Sequence, residues 1–162
     1  MWCFVALSNT PALFTFHALP PELVGRPLQD VAMATIHKEV EIHAPPQRVW
    51  EALRDVGALH TRLAAGFVAD TRMEGNARIV TFANGMVARE EIVAIDDSAR
   101  RVAWAIVGQQ FHHYNGAAQL FNHADSTRFV WTTDLLPDEL APTVDTMMTA
   151  GIAAIKKTLE DA

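Results

Sequence analysis

The chain has 162 residues, 50% of them hydrophobic and 20% charged, with 13 basic against 19 acidic side chains and a net charge of −6. That length buries roughly two-thirds of the unfolded surface without help from disulfides or metals, and the composition excludes a disordered or fibrous protein. No Lys/Arg-rich run supports a nucleic-acid partner, no stretch approaches the ~18 apolar residues of a membrane span, and one cysteine, Cys3, fits a reducing cytoplasmic compartment.

Residues 1–32 carry only Glu22, Arg26 and Asp30 as charges and hold four prolines, Pro11, Pro20, Pro21 and Pro27. Such proline density leaves no room for a regular helix or a central strand. The apolar start, Trp2 to Leu7, has no preceding Lys or Arg and is cut by Ser8-Asn9-Thr10-Pro11, so it does not read as a signal peptide. Residues 1–33 read as an irregular N-terminal extension, one explanation being an over-extended start, and residues 34–162 as the folded domain.

From Thr35 the pattern is dense. Ile36, Val40 and Ile42 alternate with polar neighbours, the period of a half-buried strand, with Lys38 as the exception on the apolar side. Ala44-Pro45-Pro46 ends it, and Pro46 suits a first helical position. Val49, Trp50, Leu53 and Val56 form a helical face closed by Gly57, and a second short helix over 58–65 ends at Gly66. Between Phe67 and Leu136 the period becomes two. Turns at Glu74-Gly75-Asn76, Asn84-Gly85, Asp96 to Ala99, Gly108 to Gln110 and His123 to Ser126 separate six more strands, an antiparallel meander. Leu140, Val144, Met147, Met148, Gly151, Ile152, Ile155 and Leu159 then form one stripe of a long terminal helix, whose natural cover is the concave face of the sheet.

The segments "IHKEVEIHAPPQRVWEALRDVGALHTRL", "VTFANGMVAREEIVAIDD", "RRVAWAIVG", "HHYNGAAQLF" and "FVWTTDLLPDELAP" resemble the SRPBCC superfamily over residues 34–162. This superfamily holds START domains, birch-pollen-type allergens and polyketide cyclase/dehydrase-like proteins. The resemblance implies an α+β helix-grip fold, a seven-stranded antiparallel sheet curled around the C-terminal helix. It carries no universal catalytic motif, so fold alone does not name a reaction.

A sheet curled around a helix leaves an apolar space between them. Read as a two-residue type I′ turn, Asn84-Gly85 opposes Ile79 with Glu90 and Arg78 with Glu91. The Arg78–Glu91 charge pair then belongs to solvent, and Ile79, Thr81, Met86, Ala88, Glu90 and Ile92 face inward. Glu90 becomes a lone carboxylate in apolar surroundings: a structural carboxylate, a grip for a ligand hydroxyl, or a catalytic acid/base whose pKa desolvation raises.

In the last hairpin, Leu120 meets Phe129, Ala118 meets Trp131 and Gly116 meets Thr133, leaving room above Gly116 and Ala118. Tyr114 extends that face, Trp104 and Trp131 are candidate walls, and Met147 and Met148 are an adaptable lining. Rim candidates are His60 and Arg62 on the second short helix, and His113, Asn115 and Asp134 on the sheet. Seven histidines form no HxxxH, HExxH or Cys/His set, so no metal is expected, and no phosphate loop, dinucleotide fingerprint or GxSxG points to a cofactor or nucleophile.

The leading expectation is a carrier of a small hydrophobic molecule (aromatic, polyketide-like or lipid-like). Its rival is a cyclase/dehydratase-type enzyme using Glu90 or the His113/Asn115/Asp134 group. A third is a partner-binding module that forms a homodimer through the N-terminal apolar residues. A chain beginning at Met33 is expected to melt cooperatively at a temperature close to that of the full chain by circular dichroism; loss of the cooperative transition overturns the division at that point.

Overall fold

Alternating apolar and polar side chains dictate strands over most of the domain, and two proline-led segments supply the helices. The computed structural model describes residues 32–108 and 110–161. The expected extension, all but its last two residues, and Gln109 therefore lie outside the described residues. In chain order come β1 (Ala34–Ile42), α1 (Pro46–Arg54), a π-helical turn (Leu59–Leu63), β2 (Val68–Glu74), β3 (Ala77–Phe82) and β4 (Val87–Asp96). β5 (Arg101–Ile106), β6 (His113–His123), β7 (Ser126–Leu136), a 3₁₀ turn (Asp138–Leu140) and α2 (Ala141–Glu160) follow. The seven strands form one antiparallel sheet in the order β1-β7-β6-β5-β4-β3-β2. This is the helix-grip architecture: a meander with its two ends at β1 and β2, and a long helix across the inner face. No helix of the described residues is long and apolar enough to cross a membrane.

Pro46 does open α1, whose Val49, Trp50, Ala52 and Leu53 are buried. The second short helix is a single π-helical turn that buries Leu59 and Leu63 and ends before Gly66 at φ 80°. On α2, Val144, Met148, Gly151, Ile152, Ile155 and Leu159 are buried against the sheet, the stripe expected from their spacing. Lys38 breaks the apolar face of β1 for a reason visible only in three dimensions: its Nζ reaches Asp145 Oδ1 of α2 at 2.7 Å.

One register differs from the expectation. The β3–β4 connection is a three-residue loop, Ala83-Asn84-Gly85. Gly85 N–H donates to Phe82 O at 2.9 Å, Phe82 N–H to Met86 O at 2.8 Å, and Gly85 takes φ 86°. This is a type I turn followed by a left-handed residue, the second favoured hairpin geometry. Asn84 serves it by accepting the Met86 N–H at 3.0 Å rather than by adopting positive φ itself. The added loop residue shifts pairing by one, so Arg78 opposes Glu90 and Val80 opposes Ala88. Because side chains alternate, the shift turns over one strand completely. On β4 Ala88, Glu90 and Ile92 face inward as expected, while on β3 Arg78, Val80 and Phe82 replace Ile79 and Thr81. The remaining hairpin has the predicted register, with Ala118 opposite Trp131 and Gly116 opposite Thr133.

The C-terminal end of α2 is tied to the end of β1. Glu160 Oε1 accepts the backbone N–H of His43 at 2.8 Å and Lys156 Nζ at 2.9 Å, and Arg48 Nη2 donates to Leu159 O at 2.9 Å. The His43 N–H first, and Lys156 next, hold the Glu160 carboxyl down at about 2, against an ordinary value of 4.5. A carboxyl with a depressed folded-state pKa stabilises the fold fully above its unfolded pKa and loses that contribution as pH falls through the folded value. The melting temperature is therefore expected to drop as pH is lowered from about 4.5 toward 2. Glu160→Gln should lower the melting temperature at pH 7 and flatten that part of the acid limb, both read by differential scanning calorimetry.

Candidate functional site

Between the inner face of the sheet and α2 lies a cavity of about 150 Å³. The π-helical turn contributes Leu59 and Leu63, and the segment behind it contributes Phe67; the strands bring Val80, Ala88, Ile106, Ala118 and Phe129. α2 closes it with Val144, Met147, Met148, Gly151 and Ile155. Met86, Val87, Gln110 and Thr143 belong to the lining and are exposed, so the cavity meets solvent where the β3–β4 and β5–β6 loops approach the start of α2.

Two charges stand in this apolar wall. Arg78 Nε donates to Glu90 Oε2 at 2.6 Å, with the two side chains 5% and 9% exposed. The Arg78 guanidinium also lies over the Trp104 ring, 5.1 Å from its centroid, a cation–π contact that spreads its charge over an apolar neighbour. Arg78 is the residue sequence reasoning left in solvent. The signal that finds it is Ala83-Asn84-Gly85 read as a three-residue loop with Gly at the left-handed position.

Tyr114 lines the cavity near this pair. Burial, and then the negative charge of Glu90, push its phenol up to about 12, so the hydroxyl remains a donor throughout the neutral range. Its ring packs edge-on against Phe111, centroids 4.9 Å apart. Thr133, inward and fully buried, lies by the Tyr114 hydroxyl without a well-formed hydrogen bond.

Trp104 and Trp131 both line the cavity, and what differs from the expectation is the space beside them. Trp104 and Trp131 do stand together, ring centroids 6.0 Å apart at 55°. The room above Gly116, however, is taken by its cross-strand partner: a Cβ on Gly116 would lie 2.5 Å from Trp104 Cε2. Gly116 is thus a seat for an indole rather than a space for a ligand, while Ala118 does line the cavity. Trp131 has a seat of its own on the helix, because a Cβ on Gly151 would lie 2.9 Å from Trp131 Cζ3. Neither indole N–H has a hydrogen-bond partner among the described residues.

The rim candidates fall elsewhere. Leu59 and Leu63 take the inward positions of the π-helical turn, which turns His60 and Arg62 away; Arg62 Nη1 pairs with Asp55 Oδ2 at 2.7 Å on the surface. His60 is half-buried, its Nδ1 without a partner. Asn115 and Asp134 are opposed as predicted, but with His113 they occupy the outer face of the sheet, since Gly116 and Thr133 take the inner one. There Asp134 accepts from Thr35 at 2.6 Å, in a hollow of the outer face with Arg101, Gln119 and Thr132. The sheet separates this group from the cavity.

A family model described as polyketide cyclase / dehydrase and lipid transport matches residues 33–160. No curated protein matches the sequence. Among solved structures, the fold is similar to that of an uncharacterized protein from Bacillus thuringiensis, at TM-score 0.68 and 15% identity, covering 78% of this chain and 98% of that one. It is also similar to a norcoclaurine synthase point mutant of Thalictrum flavum in complex with a transition-state analogue, at TM-score 0.63 and 18% identity, covering 82% and 94%. Ara h 8.0201 is similar at TM-score 0.63 and 18% identity, covering 81% and 100%.

Removing one member of a buried ion pair leaves the other uncompensated at about 3–5 kcal/mol, whereas replacing both with apolar groups is often neutral or stabilising. Arg78→Met should therefore destabilise by about that amount in urea titrations, and Arg78→Met with Glu90→Leu should recover most of the loss.

Proposed function

The chain belongs to the polyketide cyclase / dehydrase and lipid transport family, and from that premise we propose that it binds one small hydrophobic molecule in the cavity between sheet and α2. The observation that carries this reading is the cavity itself: about 150 Å³, walled by aliphatic and aromatic side chains, and open beside Met86 and Met147. An apolar cavity of about 150 Å³ suffices for a benzene ring in other proteins. A one-ring aromatic ligand fits this volume, and a longer polyketide-like or lipid-like molecule needs the flexible Met147 and Met148 side chains to move aside. Candidate ligand contacts are Glu90, Trp104, Tyr114, Ala118, Trp131, Met147 and Met148, joined by Arg78. Cys3 as the single cysteine supports a cytoplasmic location.

A second reading is favoured by one feature, the carboxylate of Glu90 in the lining. As a cyclase/dehydratase-type enzyme, the protein would fold its substrate against the tryptophans and move a proton at Glu90. That the similar norcoclaurine synthase mutant is in complex with a transition-state analogue supports an enzymatic reading of the fold. Against it, Glu90 is already engaged by Arg78 at 2.6 Å, so proton transfer competes with an ion pair. The paired carboxylate favours holding a ligand over reacting with it.

Trp104 and Trp131 make binding visible in the intrinsic fluorescence. Titration with small aromatic compounds and short fatty acids is expected to change the emission saturably, with a one-to-one complex in native mass spectrometry. Ala118→Phe, which fills the cavity from the sheet side, should weaken binding at least tenfold while the variant still melts cooperatively. Unchanged binding in that variant would place the ligand elsewhere.

A further inference from the structure

Resting on the cavity as the binding site, we infer that its ligand is a neutral phenol-class molecule whose hydroxyl donates to Glu90 and accepts from Tyr114. The argument is one of matching. Apart from the Arg78–Glu90 pair and Tyr114, the described residues that form the walls are almost wholly apolar. The pair is internally neutral, so a charged ligand entering this wall would be desolvated without a free counter-charge, and both benzoate-like anions and ammonium-bearing rings are disfavoured.

Among neutral rings, a hydrocarbon satisfies neither polar group. An aryl ether or ketone can accept from the Tyr114 hydroxyl but has nothing to give the carboxylate. An aryl hydroxyl does both with one oxygen, which suits a space of about 150 Å³ with room for one ring. Tyr114 keeps its proton, being pushed up to about 12 by burial and by Glu90, so its role toward a ligand oxygen is that of donor.

The test is a matched set of one-ring compounds, p-cresol, toluene, 4-methylanisole and 4-methylbenzoate, titrated by tryptophan fluorescence and calorimetry into the full chain and Tyr114→Phe. A hydrogen bond to a charged acceptor corresponds to about tenfold or more in affinity. p-Cresol is expected to bind at least that much more tightly than toluene, with 4-methylanisole between them and 4-methylbenzoate weakest. In Tyr114→Phe, the advantage of p-cresol over toluene should shrink several-fold. Equal affinities for p-cresol and toluene overturn the phenol assignment and leave the cavity as the binding site. Tightest binding of 4-methylbenzoate overturns it in favour of an anionic ligand, and an undiminished p-cresol preference in Tyr114→Phe removes the tyrosine from it. Failure of all four to bind the full chain overturns the phenol assignment, and failure of the short fatty acids as well overturns the cavity reading itself.

Discussion

Arg78 and Glu90 meet inside an apolar wall only because three residues, not two, join β3 to β4. A strand offers its partners two faces and nothing between, so the loop acts as a binary selector. With Gly85 at φ 86° the guanidinium goes in, and the carboxylate that was inward on either pairing gains a partner within hydrogen-bond reach. Much of the site follows from that selection. Trp104 stacks on the guanidinium, Tyr114 feels the carboxylate, and the surrounding aliphatic residues are spared an isolated charge.

The architecture was legible in the sequence because its determinants are local and periodic. The strand alternation, the proline at the head of α1 and the stripe from Val144 to Leu159 each repeat one signal over many residues. The β6–β7 register was legible for the same reason, since the turn from His123 to Ser126 admits one pairing that keeps Leu120, Phe129 and Trp131 together. The β3–β4 hairpin was not, because Asn84-Gly85 suits both a two-residue and a three-residue loop and both faces of β3 carry apolar residues. There both loops are locally sound, and one of them is selected only when the two strands pack into the whole sheet.

The candidate site divides along the same line. Glu90, Trp104, Tyr114, Ala118, Trp131, Met147 and Met148 line one cavity, because inward-facing residues converge wherever a curled sheet meets a helix. His60, Arg62, His113, Asn115 and Asp134 have suitable chemistry but no inward position, because burial of Leu59, Leu63, Gly116 and Thr133 sends them to other surfaces. Phe67 and Phe111 also line the cavity without a signal in the sequence, since each lies just outside a strand, where periodicity gives no direction.

The two tryptophans rest on Gly116 and Gly151, one in the sheet and one in the helix. In each pair the large residue occupies the volume that the small one vacates. Enlarging the glycine drives a new carbon into an indole, and shrinking the tryptophan opens a hole over bare backbone. Neither member can drift alone without loss, so a lineage that reshapes this pocket must cross a valley in which one half of the pair has changed before the other. The cavity is more easily reshaped at Met147 and Met148, whose unbranched side chains re-pack. The ring–glycine pairs are the part of the lining that a mutating sequence inherits as a unit.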